Sequence, residues 1–188
     1  MSHRAKQKHR GLILSDGAVL GSDFFKRDAD TVARELIGKT LVRERAGVVT
    51  RIAITETEAY LGPHDLASHS ARGRTARTEV MFGPPGIFYV YLVYGLHWML
   101  NVVTGAVGHP AAVLIRGAGP YKGPGQLTCG LNITRELNGI EARPMSGLWF
   151  ENAIHEKPLS IKAGPRVGVD YAGPIWSRRR LRFLLKDI

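Results

Sequence analysis

Cysteine is nearly absent from the 188-residue chain: Cys129 stands alone. A single thiol excludes an intramolecular disulfide, argues against a cysteine-based metal site and fits a reducing, cytoplasmic location. Neither an HExxH string nor a paired Cys/His spacing occurs, so no metal is expected. No run of about 18 apolar residues appears, and the N-terminal Met-Ser-His-Arg-Ala-Lys-Gln-Lys-His-Arg has no apolar secretion segment; no membrane partner is expected. Negative charge is also scarce. Sixteen Asp and Glu face 26 Lys and Arg, a net +10 that favours a polyanionic partner such as nucleic acid.

That charge sits mostly at the ends. Residues 1–10 carry four basic residues and no acidic one, and residues 177–188 carry five basic residues against Asp187. Solvated tails would explain such runs as well as a ligand would. The length and the 44% hydrophobic content fit one domain with a substantial core, residues 20–188, preceded by a basic arm over 1–19.

Along the chain, Ala29, Val32, Ala33, Leu36 and Ile37 recur at helical spacing after Asp28, and Gly38 is placed to end that helix. Residues 39–45 and 48–60, rich in Val, Ile and Thr, read as strands joined around Ala46-Gly47. Residues 61–85 break into Gly, Pro, His, Ser and Arg, which marks a functional loop. Strands are expected over 87–94, 96–103 and 111–116, with a sharp bend at Gly95. A short helix over 123–131 and short strands at 148–150, 159–162 and 181–185 follow. The expected fold is α+β: a curved antiparallel β-sheet, open-barrel-like, surrounded by helices.

Strand period puts Ile52, Ile54, Glu56, Glu58 and Tyr60 on one face, which passes from apolar to acidic to aromatic. A carboxylate is costly to desolvate, so two at the end of a buried row mark a site, unless the strand simply reaches solvent at Thr55. A glycosidase acid/base pair is a further reading, although such pairs flank the substrate from opposite sides. His64, Asp65 and His69 are conceivable metal ligands with Glu58, against the missing motif; a structural hydrogen bond is the ordinary role of a lone His69.

Four of six tyrosines lie at 60, 89, 91 and 94, as stacking surfaces for flat rings would, or as core. Tyr89 and Tyr91 share one strand face; Phe88, Val90 and Leu92 share the other, which makes the better core. Tyr94, just before Gly95, is placed to project from a tip as a wedge between base pairs. Arg72, Arg74 and Arg77 lie among small residues that leave phosphates access, or in a solvated loop.

The strings Thr57-Glu58-Ala59-Tyr60-Leu61-Gly62-Pro63, Ser68-His69-Ser70 and Tyr89-Val90-Tyr91-Leu92-Val93-Tyr94-Gly95 closely resemble the alkyladenine (3-methyladenine) DNA glycosylase family. The match continues in order through Asn101, Val113-Leu114-Ile115-Arg116 and Pro165-Arg166-Val167-Gly168-Val169. The resemblance implies a monofunctional, cofactor-free glycosylase acting on double-stranded DNA, monomeric, that flips an alkylated or deaminated purine into a pocket and leaves an abasic site. By position, Glu58 resembles the base that activates water. Arg116 and the Val167 carbonyl resemble the groups that hold that water, and Tyr60, His69 and Tyr91 the pocket walls. Tyr94 resembles the intercalating wedge, and Asn101 the residue that crowds the 2-amino group of guanine. One departure is visible: Gly123-Pro124-Gly125-Gln126-Leu127 has Gln126 where family members often have lysine.

Overall fold

The computed structural model describes residues 17–155 and 158–186. Residues 1–16 of the expected basic arm therefore lie outside the described residues. From Ala18 onward the chain is already paired, with Val19 bridging Glu151 and the Ala18 carbonyl accepting the Asn152 N–H.

The expected α+β architecture is present as one nine-stranded antiparallel sheet, not closed, with helices against it. Helices α1 (Ser22–Phe25) and α2 (Ala29–Leu36) precede β1 (Thr40–Arg45) and β2 (Val48–Tyr60). Then come β3 (Phe88–Val93), β4 (His97–Thr104), β5 (Ala111–Ala118), β6 (Tyr121–Lys122) and α3 (Pro124–Gly130). The chain finishes with β7 (Leu148–Glu151), β8 (Ile161–Gly164), α4 (Gly173–Arg178) and β9 (Arg182–Leu185). The main path runs β3-β4-β5-β2-β1-β7, with β6 on β5, and β9 on β2 carrying β8.

Helix α2 buries Ala29, Val32, Ala33 and Leu36, the row its spacing predicts. It stops at Gly38, whose φ of +82° suits glycine and where an added Cβ would strike Leu159 at 2.2 Å. Thr57 of β2 donates its hydroxyl to the Ala33 carbonyl at 2.8 Å, satisfying both buried groups between helix and sheet.

Strand β2 is the spine. Its first half pairs with β1; from Glu56 to Glu58 it is flanked by β5 on one edge and β9 on the other. Here one expectation is corrected. The β2–β5 register slips twice: Thr55 is an extra residue on β2, and Arg116 an extra residue on β5. A bulge reverses which side the following residues face. Ile54 consequently shares the main core with Ala59, while Glu58 and Tyr60 lie opposite Leu114 and Ala112 on the other face. The acidic row does not continue the Ile52–Ile54 row.

On β3, Phe88 and Val90 enter the main core, whereas Tyr89 and Tyr91 turn to the face carrying Glu58. The loop over 61–85 is compact, with short 3-10 turns at His69–Arg72 and Glu79–Phe82. Its anchor is Asp65, fully buried and paired with the equally buried Arg166 side chain. Asp65 Oδ1 lies 2.8 Å from Arg166 Nη2, and its oxygens also accept the Leu61 and Ala67 amides. Asp65, a conceivable metal ligand by sequence, is thus committed to an arginine. Arg166 also donates to the Ala59 carbonyl and lies over the Tyr60 ring at 4.8 Å.

Removing one member of a buried pair leaves an uncompensated charge, at a cost of about 3–5 kcal/mol. Arg166→Met should therefore lower the thermal midpoint by about 6–20 °C at neutral pH, on the usual scaling for a domain of this size. A shift of under about 2 °C in a calorimetric scan would show that Asp65 is adequately satisfied by its two amides.

Candidate active site

Glu58 has no exposed side-chain surface. Such a carboxylate needs partners, and three are supplied, one from its own strand and two from distant parts of the chain. Its Oε1 accepts the Val167 N–H at 2.8 Å, its Oε2 accepts the Tyr60 hydroxyl at 3.0 Å, and Arg116 Nη1 lies 3.5 Å from Oε1. Burial raises the Glu58 carboxyl above its ordinary value; Arg116, the Val167 N–H and the Tyr60 hydroxyl pull the other way. The reading in which this strand end merely reaches solvent is excluded. The Val167 contact runs through its amide N–H, and its side chain is exposed.

Glu56 is held differently. Its Oε1 accepts Arg116 Nε at 2.8 Å and Arg182 Nε at 2.6 Å, so it faces two cations rather than a free substrate surface. That arrangement removes the basis for an acid/base pair with Glu58.

Beside Glu58 opens a cleft of roughly 1030 Å³, continuous with solvent, whose lining includes Tyr60, His69, Tyr91, Arg116 and Val167. Adjoining it, and sharing Tyr60, His69, Tyr91 and Tyr171 with it, is a narrow pocket whose lining adds Tyr89 and Asn101. The rings are fixed by one another. His69 packs edge-on against Tyr91 with centroids 4.6 Å apart, and its Nδ1 shares a 3.0 Å hydrogen bond with the Tyr89 hydroxyl. Burial, then Arg77 and Arg72, depress the His69 pKa to about 4, so the ring is neutral at physiological pH. Burial pushes the Tyr60, Tyr89 and Tyr91 hydroxyls up, keeping them protonated. Asn101 is buried and donates its amide to the Tyr89 carbonyl at 3.0 Å, which leaves its oxygen as the unspent group.

Tyr94 lies at the β3–β4 turn on the lining of the cleft, 92% exposed, at φ +51° with Gly95 at +69°. Positive φ is uncommon for a bulky residue and stores strain. The three loop arginines divide. Arg77 lies over the Tyr91 ring at 4.9 Å and lines the cleft; Arg74 is engaged by Glu79 at 3.4 Å and the Phe82 ring; Arg72 is exposed. Gln126 is exposed and accepts the Lys122 N–H at 3.3 Å. Tyr171 and Arg182 are contributors that the sequence patterns did not single out for this site; by sequence Asp65 is only a conceivable metal ligand, and Arg166 stands in the quoted Pro165–Val169 string without a role.

The family model described as methylpurine-DNA glycosylase matches residues 23–123 and 121–188. The chain belongs to the methylpurine-DNA glycosylase family. It is an enzyme, a hydrolase of N-glycosyl bonds. A Myxococcus xanthus protein is 46% identical over 179 residues, covering 89% of this chain and 90% of its own length. One from Legionella pneumophila strain Corby is 45% identical over 174 residues, covering 87% and 92%. One from Methanocella arvoryzae is 44% identical over 175 residues, covering 82% and 86%. All three bear the name "Putative 3-methyladenine DNA glycosylase". Among the described residues no helix is long and apolar enough to cross a membrane.

The depressed His69 pKa has a measurable sign. The unfolded chain takes up a proton near pH 6.5, the native ring only near 4. The stability contributed by neutral His69 is therefore full above pH 6.5 and lost as pH falls through about 4. His69→Gln should flatten the thermal midpoint over that window relative to the native chain. Parallel pH profiles in a thermal-shift series would contradict the assignment.

Proposed function

We propose that this glycosylase flips an alkylated or deaminated purine out of duplex DNA and hydrolyses its N-glycosidic bond, leaving an abasic site. The reading covers the class of 3-methyladenine, 7-methylguanine, hypoxanthine and ethenoadenine, and a monomer acting without cofactor. The observation that carries it is the buried Glu58 carboxylate, aimed at an aromatic cleft next to Arg116.

In this reading the water's oxygen bonds to the sugar C1′ while the C1′–N9 bond breaks, its electron pair leaving with the purine. Glu58 takes the water's proton and its charge faces the oxocarbenium-like sugar. The upward push on Glu58 makes it a better proton acceptor once ionised, and Arg116 keeps the ionised form accessible. Tyr60, His69 and Tyr91 stack on the flipped base, and Asn101 crowds an exocyclic 2-amino group. Arg116 and the Val167 carbonyl hold the attacking water. Purines methylated at N3 or N7 carry positive charge and leave without an acid.

Tyr94 fills the vacated stack as a wedge. Its support is the strained, exposed tip: the turn keeps a bulky ring at positive φ, where glycine would cost less. Arg77, which lines the cleft, meets phosphates together with Arg72 and Arg74 of the same loop.

Glu58→Gln should abolish base release from methylated duplex DNA while lesion binding persists; base release at the native rate would remove Glu58 from the chemistry. In the native chain the acid limb of the single-turnover pH profile should lie above the ordinary carboxylate pKa of about 4.3. Tyr94→Gly should leave the thermal midpoint unchanged or higher, because strain is relieved, yet weaken lesion capture several-fold. Unaltered capture by fluorescence titration would deny Tyr94 the wedge role.

A further inference from the structure

We propose that Glu56 is a positioning residue for the reaction: clamped between Arg182 and Arg116, it fixes the guanidinium that faces the Glu58 carboxylate. The inference rests on the reading of Glu58 as the base.

Arg116 cannot be aimed by strand geometry alone, because it is the extra residue of β5, with Thr57 opposite Ile115 and Glu56 opposite Gly117. A bulged side chain needs a second anchor. Glu56 supplies it at Nε, 2.8 Å away, and the planar fork of the guanidinium then sets where Nη1 points, 3.5 Å from Glu58 Oε1. Glu56 is itself anchored from the far edge of β2: Arg182 on β9 lies opposite Glu58 and bonds the same Glu56 oxygen at 2.6 Å. Gly117 permits the close approach. An added Cβ there would sit 3.1 Å from Thr55 Oγ1 and 3.3 Å from Glu56 Cβ.

Stability alone would not place a second carboxylate beside a buried one, since Glu56 works against ionisation of Glu58. Its gain is the orientation of Arg116. The other groups facing Glu58 are Tyr60 on its own strand, Tyr91 from β3 and Tyr171 beyond Val169, with the Asp65–Arg166 pair behind Tyr60. Among these, Arg116 is the cation that acts most strongly on Glu58, so losing its aim has a defined sign: the Glu58 carboxyl rises further.

The test is single-turnover base release from dimethyl-sulfate-treated duplex DNA across the acid limb, using the full chain. Glu56→Ala should slow release at neutral pH by about 10- to 100-fold, the usual cost of a misplaced catalytic group, and place the acid limb above that of Glu56→Gln, which loses the same charge. Glu56→Gln keeps an acceptor for Arg116 Nε and should restore most of the rate, with the limb at or below its native position. Arg182→Ala should shift the limb in the same direction as Glu56→Ala, by less. Where Glu56→Ala does not fold, Glu56→Asp, one methylene short, carries the comparison and should show the upward shift. An acid limb in Glu56→Ala no higher than in Glu56→Gln, or in Glu56→Asp at the native position, overturns the inference, whatever the rate. Glu58→Gln separates the two readings: release at the native rate in that variant overturns the assignment of the base instead.

Discussion

A carboxylate with no access to water must be compensated at its own oxygens, and Glu58 imposes that demand on the whole molecule. Its partners come from β2 itself, from β5 and from the segment after β8, nearly 110 residues away in the case of Val167. Each is held by something further out. Val167 follows Arg166, which Asp65 grips; Arg166 covers the Tyr60 ring and caps the Ala59 carbonyl; Arg116 is steered by Glu56. The polar contacts of the site thus form one connected set, in which a loss at the periphery reaches Glu58 through at most two intermediates.

The walls of the pocket follow the opposite rule. Burial holds the tyrosine hydroxyls protonated and the His69 ring neutral, so the pocket walls are aromatic and uncharged, with the Glu58 carboxyl at their edge. Such an environment favours a flat cation over the same ring left neutral, through the negative faces of the aromatics and the nearby carboxylate. That is the charge state of an N3- or N7-methylated purine. Arg77 over the Tyr91 ring sets a limit on this preference, because it places a competing cation at the rim.

Much of this was legible in order along the chain. Strand ends on β1 and β2 fell within a residue of expectation, because both segments are rich in Val, Ile and Thr and meet at the Ala46-Gly47 turn. The turning of Tyr89 and Tyr91 away from the core followed from period two and the aliphatic opposite face. The bulge at Thr55 was not legible, since it depends on the register of β5, and so Ile54 was placed with Glu58 when it faces the other way. The Asp65–Arg166 pair spans 101 residues and leaves no local signal at either position. Helices α1 and α4, four and six residues long, are too short to show a period. The family resemblance located Glu58 and Val167; it did not indicate that they touch through the Val167 amide.

Tyr94 shows where the local rules give way to another demand. Of the three turn residues Tyr94, Gly95 and Leu96, the first two take positive φ, a conformation that Asn-Gly or Gly-Gly adopts most readily; Gly95 meets that preference while Tyr94 opposes it. The ring gains little in return from the protein, being almost wholly exposed. Strain without a packing reward is uneconomical for folding, and the proposed wedge role supplies a compensation outside the free molecule. The buried carboxylate answers to the same reasoning from the other end of the site: Glu58 weakens the folded chain and Tyr94 strains it, and in the proposed function both costs are recovered when a nucleotide occupies the space between them.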